Sequence, residues 1–427
     1  MRKLARHTAA LGAAALLALS GASFAQAEPV SDQAAQLPIE LIQALERDLK
    51  LSPDQYLQRS ELGQKLAEWS VIARQAYPQV FAGAWLDEKG VPTVALADGP
   101  NKAAARAAAE KSGFTVRDVA RSAAALESQL GEIQKWIAAQ PAPIASAVRG
   151  VAIDSIGNTI AIRVSEVLKG LQLPEFLGGA RLVVTPQPVV AKPRPALGDI
   201  AGVDRGSLLG GDGYGSVAGR MAMQCSFGFN GTFNGATVSV SAGHCDPNLP
   251  AAGTPQASKV RELRGEALGP VVGAFEKTSL DNHDYSIIKI VPEATGRFEN
   301  NGVRVPGRAP LLIDGTAVPL IGAPVCKSGS RTGFSCGTIN AVDQSVDVET
   351  RRMNDSFSAN ICALPGDSGG AVVTGTKALG ISSASTVADF PVCELAHLIG
   401  PFIGQDPQLF STPINVVLAE NPGLQLR

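Results

Sequence analysis

No cysteine occurs before Cys225, aromatic residues make up 5% of the chain, histidines number four, and the formal net charge is only −2. The near balance of charge excludes a general affinity for nucleic acid or for acidic membrane surfaces. No Cys-x-x-Cys and no closely paired histidines occur, so the usual ligand spacing of a zinc site is missing. The acidic stretch around Asp281 and Asp284 lacks the spaced oxygen ligands of a known calcium loop. No metal or cofactor is implied. Beyond the first residues no apolar run approaches the ~20 residues needed to span a bilayer, so stable membrane association is not expected.

What is present is length, glycine and a confined set of cysteines. At 427 residues, two or three domains are expected. The 45 glycines suit an all-β domain with many tight turns. Residues 1–27 have a basic start, a short apolar middle and a small-x-small ending at Ala25 to Ala27, the pattern of a secretory signal cut before Glu28. The product is expected to be secreted and extracellular. All six cysteines fall between Cys225 and Cys393. In an exported chain an even number confined to one region implies a disulfide framework, and the clustering marks the C-terminal half as a separate domain.

From Pro38 to about Phe81, apolar residues recur at three and four, the helical period. The stretches AGAWLDEKGVPTVALAD and RGVAIDSIGNTIAIRVSE each read as a β-hairpin, with Ala-rich helical segments between them. Residues 28–184 are therefore α+β, built from two loosely similar helix-and-hairpin units. Residues 185–213 turn Pro- and then Gly-rich, a linker composition of the kind proteases cut. After it, short alternating runs separated by Gly, Pro and Asn predict an all-β sandwich or barrel.

Three motifs stand out in that half: SAGHC with His244, DNHDYSII with Asp284, and GDSGG with Ser368. A serine hydroxyl needs a base to accept its proton as it attacks. Histidine does that, and a buried carboxylate holds the imidazole in the right tautomer. The attack creates an oxyanion, and backbone N–H groups reach it only from a turn free of crowding side chains, which makes Gly366 and Ser368 the natural donors. His283 is a poor base, because a residue adjacent to its own orienting carboxylate would point the opposite way along a strand. His397, in CELAHLIG, is expected in a loop or at a pocket rim. An α/β-hydrolase elbow is excluded by order, since there the acid and the histidine follow the serine and here both precede it.

With these motifs in place, the chain resembles the secreted bacterial branch of the chymotrypsin-like serine proteases, the streptogrisin and α-lytic protease group, over most of its length. The stretches around QCSFGF, VCKSGSRTGFSCG and NICALPGDSGG look like that group's three disulfide loops. The resemblance implies an all-β double β-barrel protease domain over 208–427, a preceding pro-segment over 28–184 and a linker, 185–207, carrying the maturation cleavage. LLGGDGYG resembles the usual mature start, near Ser207 or Leu208, and DIAGVDRG offers a second candidate near Asp199. It further implies the triad His244, Asp284, Ser368, the disulfides Cys225–Cys245, Cys326–Cys336 and Cys362–Cys393, and a structural, buried Asp367.

Partners implied are protein or peptide substrates and the chain's own pro-segment, with a monomer as the default. Cys362 stands six before the nucleophile, where family members cutting after Lys or Arg often carry Asp. Ser383, Ala384 and Ser385 resemble the strand lining the substrate pocket. Ala384 and Ser385 replace glycines common in the group, which narrows the pocket toward small or medium apolar residues. The segment from Ala388 to Gln408 is longer than the group's and could cap the pocket. Two alternatives are an attached substrate- or wall-binding first half, and a catalytically silent protease fold serving as a binding protein.

Overall fold

The computed structural model describes residues 30–165, 168, 179–190, 194–195 and 206–427 apart from 266, 308, 350 and 404. The signal-like start, residues 1–27, and the candidate start near Asp199 lie outside the described residues. Among these residues, no helix is long and apolar enough to cross a membrane.

The N-terminal half begins with short helical turns and then the helix Pro53–Ala76. Its start follows from sequence: Ser52 accepts from the Gln55 backbone, the Gln55 side chain accepts from Ser52 N, and Pro53 occupies the first helical position. An antiparallel hairpin, Phe81–Leu86 with Pro92–Ala97, comes next. The helix Lys102–Lys111 then carries the chain to Thr115–Val119, parallel to the second hairpin strand. The plan repeats in the helix Ala123–Ala138, the hairpin Val148–Asp154 with Thr159–Val164, and the parallel strand Arg181–Val184. Two units of helix, hairpin and parallel third strand thus match the two similar units predicted from the periodicity.

From Gly213 onward the chain is strand-rich. One sheet is built on the strands between Gly213 and Ile290 and is joined at one edge by the C-terminal strand Leu424–Leu426. The other runs from Pro324 to Pro413, and its first strand, Pro324–Gly329, pairs with both Gly333–Val348 and Ala371–Thr374, closing the sheet on itself. These two bodies form the double β-barrel expected of this half.

The two halves of the chain share structure. The strand Gly333–Val348 pairs with Val148–Asp154 in the register Ser345 with Val151 and Val346 with Gly150, so the second barrel's sheet continues into the N-terminal half. Leu41, Leu45 and Tyr56 share a buried cluster with Phe334, Val373 and Ala378. Leu41, Leu45, Phe334 and Val373 each contribute roughly 1.5–3 kcal/mol when fully buried. Asp48 Oδ2 accepts from Cys336 N at 2.8 Å, and Arg47 donates to Phe334 O at 3.1 Å. Arg163 reaches further, donating to Gln408 Oε1 and Gln344 Oε1, each at 2.8 Å, with its guanidinium 5.3 Å from the Phe410 ring centre. Burial, aided by the charge of Arg181, lowers its pKa to about 10.

The joint between the halves has one tight point. A Cβ at Gly150 would lie 2.5 Å from Ser345 O. Gly150→Val is therefore expected to destabilise the full chain by about 1–3 kcal/mol, the usual cost of overpacking. Denaturant unfolding of the full chain measures this, and an unchanged midpoint would mean that sheet continuity does not hold the halves together.

Candidate active site

The strand Ala236–Ser241 pairs with Tyr285–Ile290, and the pairing of Ser241 with Ser286 brings the turn after the first strand beside the residue before the second. His244 lies in that turn, Gly243–Cys245, and Asp284 directly precedes the second strand. Both are buried. Asp284 Oδ1 accepts from His244 N at 2.9 Å, and Oδ2 is 2.7 Å from His244 Nδ1 and also accepts from Ser383 Oγ. An ionised carboxylate only accepts, so the proton sits on Nδ1 and Nε2 is left as the free acceptor.

Burial alone would push the Asp284 carboxyl up. The charge and hydrogen bond of His244, with smaller contributions from Arg351 and Ser383, outweigh that and hold it well below the usual carboxylate range.

Ser368 follows a turn in which Gly366 has φ +115° and Gly369 has φ +83°. A Cβ at Gly369 would fall 2.0 Å from Ser241 Oγ, so glycine is required there for space as well as for backbone conformation. Ser226 N donates to Ser368 O at 2.7 Å, and Ser226 Oγ donates to Gly366 O at 2.7 Å. Ser330 Oγ reaches the same carbonyl at 3.1 Å. With its carbonyl held from behind, the turn leaves Gly366 N–H and Ser368 N–H without acceptors among the described residues. His244 Nε2 is buried and likewise unpartnered among them, and Ser368 Oγ makes no hydrogen bond to it. That contact is often long in an unliganded site and tightens when substrate binds.

Asp367 faces the interior. It accepts from Leu364 N at 3.0 Å, Arg331 N at 3.0 Å, Thr332 N at 2.9 Å and Thr332 Oγ1 at 2.6 Å, and lies 3.2 Å from Lys327 Nζ. Lys327 is 0% exposed and also donates to Thr332 Oγ1 and Gly333 O. Sequence reasoning missed this lysine, although a charged residue inside the apolar run APVCKSG is a burial signal.

Ser383, Ala384 and Ser385 line a shallow pocket together with Ser368, Ala363, Leu364, Pro365 and Ala388. Ser383 has a second task, since its hydroxyl is on Asp284. The disulfides join Cys225 to Cys245, Cys326 to Cys336 and Cys362 to Cys393. The first fixes the residue after His244. The third anchors the helix Cys393–Ile399, and Val387, Phe390 and Ala396 pack there against Cys362 and Leu364, backing the pocket wall. His283 turns to Glu420 and Asp355, at 2.7 and 3.0 Å. His397 is exposed on that helix, not in a loop. A larger cavity of about 470 Å³, lined by Leu208, Asp212, Glu262, Arg304 and Phe334 among others, includes none of His244, Asp284 or Ser368.

A buried His–Asp pair, a serine in a glycine turn and two unpaired N–H groups define a serine hydrolase built between two β-barrels. The trypsin family matches residues 215–395. Streptogrisin-C of Streptomyces griseus is 28% identical over 388 residues, covering 89% of this chain and 76% of that protein. Glutamyl endopeptidase 2 of the same organism is 32% identical over 167 residues, covering 38% and 79%. The crystal structure of Nocardiopsis protease is 28% identical, covers 52% of this chain and 99% of its own, and superposes with a TM-score of 0.40. The chain belongs to the bacterial chymotrypsin-like serine proteases and is a serine endopeptidase.

Two outcomes follow from the buried charges. Lys327→Met leaves the Asp367 carboxylate without its cation and is expected to cost about 3–5 kcal/mol in denaturant unfolding. Loss of less than 1 kcal/mol would show that the backbone donors alone sustain the charge. For Asp284, whose folded pKa is depressed, the stability it contributes is full above its unfolded value of about 4 and is lost as pH falls further. Asp284→Asn should therefore flatten the acid limb of the stability profile below about pH 4, and an unaltered limb would assign that limb to other carboxylates.

Proposed function

We propose that this chain is an exported zymogen whose second half hydrolyses peptide bonds through the triad His244, Asp284 and Ser368. The observation that carries the proposal is the double hold of Asp284 on His244, backbone and ring together, which leaves Nε2 free in a buried position. In the proposed reaction Ser368 Oγ attacks the carbonyl carbon and His244 Nε2 takes its proton. Gly366 N–H and Ser368 N–H hold the oxyanion, and His244 then gives the proton to the leaving amine. Water repeats the sequence on the acyl-enzyme.

Residues 28–184 act in this reading as a pro-segment that assists folding and blocks the cleft, and 185–207 as the linker the enzyme cuts. A barrel protease rich in non-local contacts folds slowly, because long loops must close before their contacts form. A docked sheet and a buried cluster supply part of the surface in advance. The shared sheet edge and the Arg163 and Asp48 contacts support this role. The alignment with Streptogrisin-C, which takes in 89% of this chain, supports it too. Export is supported by the signal-like start and by three disulfides.

For the residue before the cut, the lining of the pocket favours a small apolar side chain. None of its residues is cationic, which speaks against the acidic preference in the name of Glutamyl endopeptidase 2.

The deciding experiment compares the intact mass of the product secreted from the unmodified gene with that from Ser368→Ala. The expected outcome is a cut wild-type chain and an uncut variant. Equal processing of both would assign maturation to another protease, and two uncut products would support a permanently attached first half.

A further inference from the structure

A buried carboxylate that the proposed reaction does not use follows closely after His244. Asp246 is 1% exposed, and three donors converge on it. Its Oδ1 accepts from Asn248 N at 3.0 Å and Ser258 Oγ at 2.6 Å, and its Oδ2 accepts from Thr278 Oγ1 at 2.9 Å. No cation pairs with it among the described residues, and Lys277, next to Thr278, turns instead to Asn421 Oδ1 at 2.7 Å. Holding an acid inside the protein with neutral donors alone is costly, because one N–H and two hydroxyls must replace both water and a counterion. A residue of this kind is the exception among buried side chains and calls for a function.

Its anchors connect the two members of the His–Asp pair. Asn248 belongs to the turn that follows His244, and Asp246 N donates back to Gly243 O at 3.0 Å, so the carboxylate first closes that turn on itself. Thr278 lies near the end of the strand Ala267–Ser279, where Thr278 pairs with Ser286 and Ser279 pairs with Tyr285, the residue after Asp284. The same strand end therefore holds Asp284 through backbone pairing and the His244 turn through the Thr278 hydroxyl. Gly243 rests on it too, since a Cβ there would lie 2.0 Å from Ser279 O. Ser258, the residue before the strand Lys259–Arg264, adds a hold from a second strand. Between His244 and Asp246, Ser216 Oγ donates to Cys245 O at 2.6 Å and the disulfide to Cys225 fixes the side chain.

The carboxylate also acts by charge. Burial raises the pKa of the Tyr214 phenol, and the negative charges of Asp246 and Asp284 both add to that, so one buried ring lies within reach of both carboxylates. The remaining charged groups about the pair are committed elsewhere: Arg351 acts on Asp284, and His283 is held by Glu420 and Asp355.

We propose that Asp246 is a positioning residue of the active site, which seats the turn of His244 against Asp284 and sets a second buried negative charge beside the pair. The inference rests on the triad reading above. When His244 takes the Ser368 proton it becomes an imidazolium, and a fixed negative charge nearby favours that form. The base is strengthened by a group that never touches substrate.

The test measures how fast a fluorophosphonate labels Ser368 between about pH 5 and about pH 9, a reaction that needs the base but no particular substrate side chain. Each sample is the fully processed product, checked by mass. Asp246→Asn keeps the size of the side chain, and the hydroxyls of Ser258 and Thr278 accept as well as donate, so the hydrogen bonds survive and only the charge goes. Losing a negative charge makes the imidazolium harder to form, so the acid limb of the profile moves to lower pH. The expected shift is about half a pH unit, with labelling on the plateau about threefold slower. Thr278→Val keeps the charge and loosens the seat; it is expected to slow labelling about threefold, and Thr278→Ser restores the rate.

An unmoved acid limb in Asp246→Asn, or a wild-type rate in Thr278→Val, overturns the inference. Where Asp246→Asn yields no folded protein, Thr278→Val decides alone. The two readings fail separately. A wild-type enzyme that neither digests casein nor is labelled at Ser368 overturns the triad reading, whereas a labelled wild type with unchanged variants overturns only the role of Asp246.

Discussion

The turn that carries Ser368 depends on a buried charge. Asp367 lies between Gly366 and Ser368, and its carboxylate gathers donors from Leu364, Arg331 and Thr332 together with the ammonium of Lys327. Burying such a pair is not in itself stabilising, because desolvation offsets much of the attraction. Its effect is geometric. With the side chain of Asp367 committed inward, the residues on either side keep their N–H groups free of acceptors among the described residues, which is what an oxyanion site needs. Ser226 and Ser330 complete the hold by occupying the carbonyl of Gly366. A loop with three glycines within five residues, Gly366, Gly369 and Gly370, would otherwise have many conformations available, and these polar contacts select one.

The same logic explains why parts of the molecule are legible in the sequence and others are not. His244, Asp284 and Ser368 each sit in a short motif whose residue types are set by chemistry and by turn geometry, so local reading finds them. The two hairpins of the first half are legible because period-two alternation around a Gly turn is a local signal. Lys327 is forty residues from Asp367, and a pairing across that separation has no local signature beyond the oddity of a charge in an apolar strand. Arg163 is harder still. It sits in an alternating strand where an exposed arginine would be unremarkable, and only the assembled structure reveals Gln344, Gln408 and Phe410 around it. Ser383 was legible as a pocket residue from its neighbours, but its hydroxyl on Asp284 depends on the fold of two distant strands.

The relation between the halves is one of shared secondary structure. A sheet that runs from the second barrel into the hairpin Val148–Asp154 with Thr159–Val164 leaves neither edge open at the joint. Unpaired strand edges are the usual route to aggregation, so the first half also covers a surface that the barrel alone would leave exposed. Without the first half, as the zymogen proposal requires after maturation, the strand Gly333–Val348 keeps its partners Pro324–Gly329 and Arg351–Ala359 but loses the edge pairing at Ser345 and Val346. The long hairpin it forms is then the element most altered by separation. It also carries Val346, Val348 and Met353, the side chains grouped with Val190 beside the cleft.

Under the zymogen proposal, that arrangement couples folding aid and inhibition through one element. A pro-segment carried on the same chain meets its site at an effective concentration in the range of roughly millimolar, far above what the same segment would reach free in solution. Cutting the linker does not abolish the pairing of Ser345 with Val151 and Val346 with Gly150, so the first half remains held by the sheet. Release then depends on the joint at Gly150 and Val346 and on the buried cluster around Leu41 and Tyr56, not on the cleft itself. Under the zymogen proposal, inhibition outlasts the cut for as long as the sheet does, and the enzyme becomes free when its first half is lost.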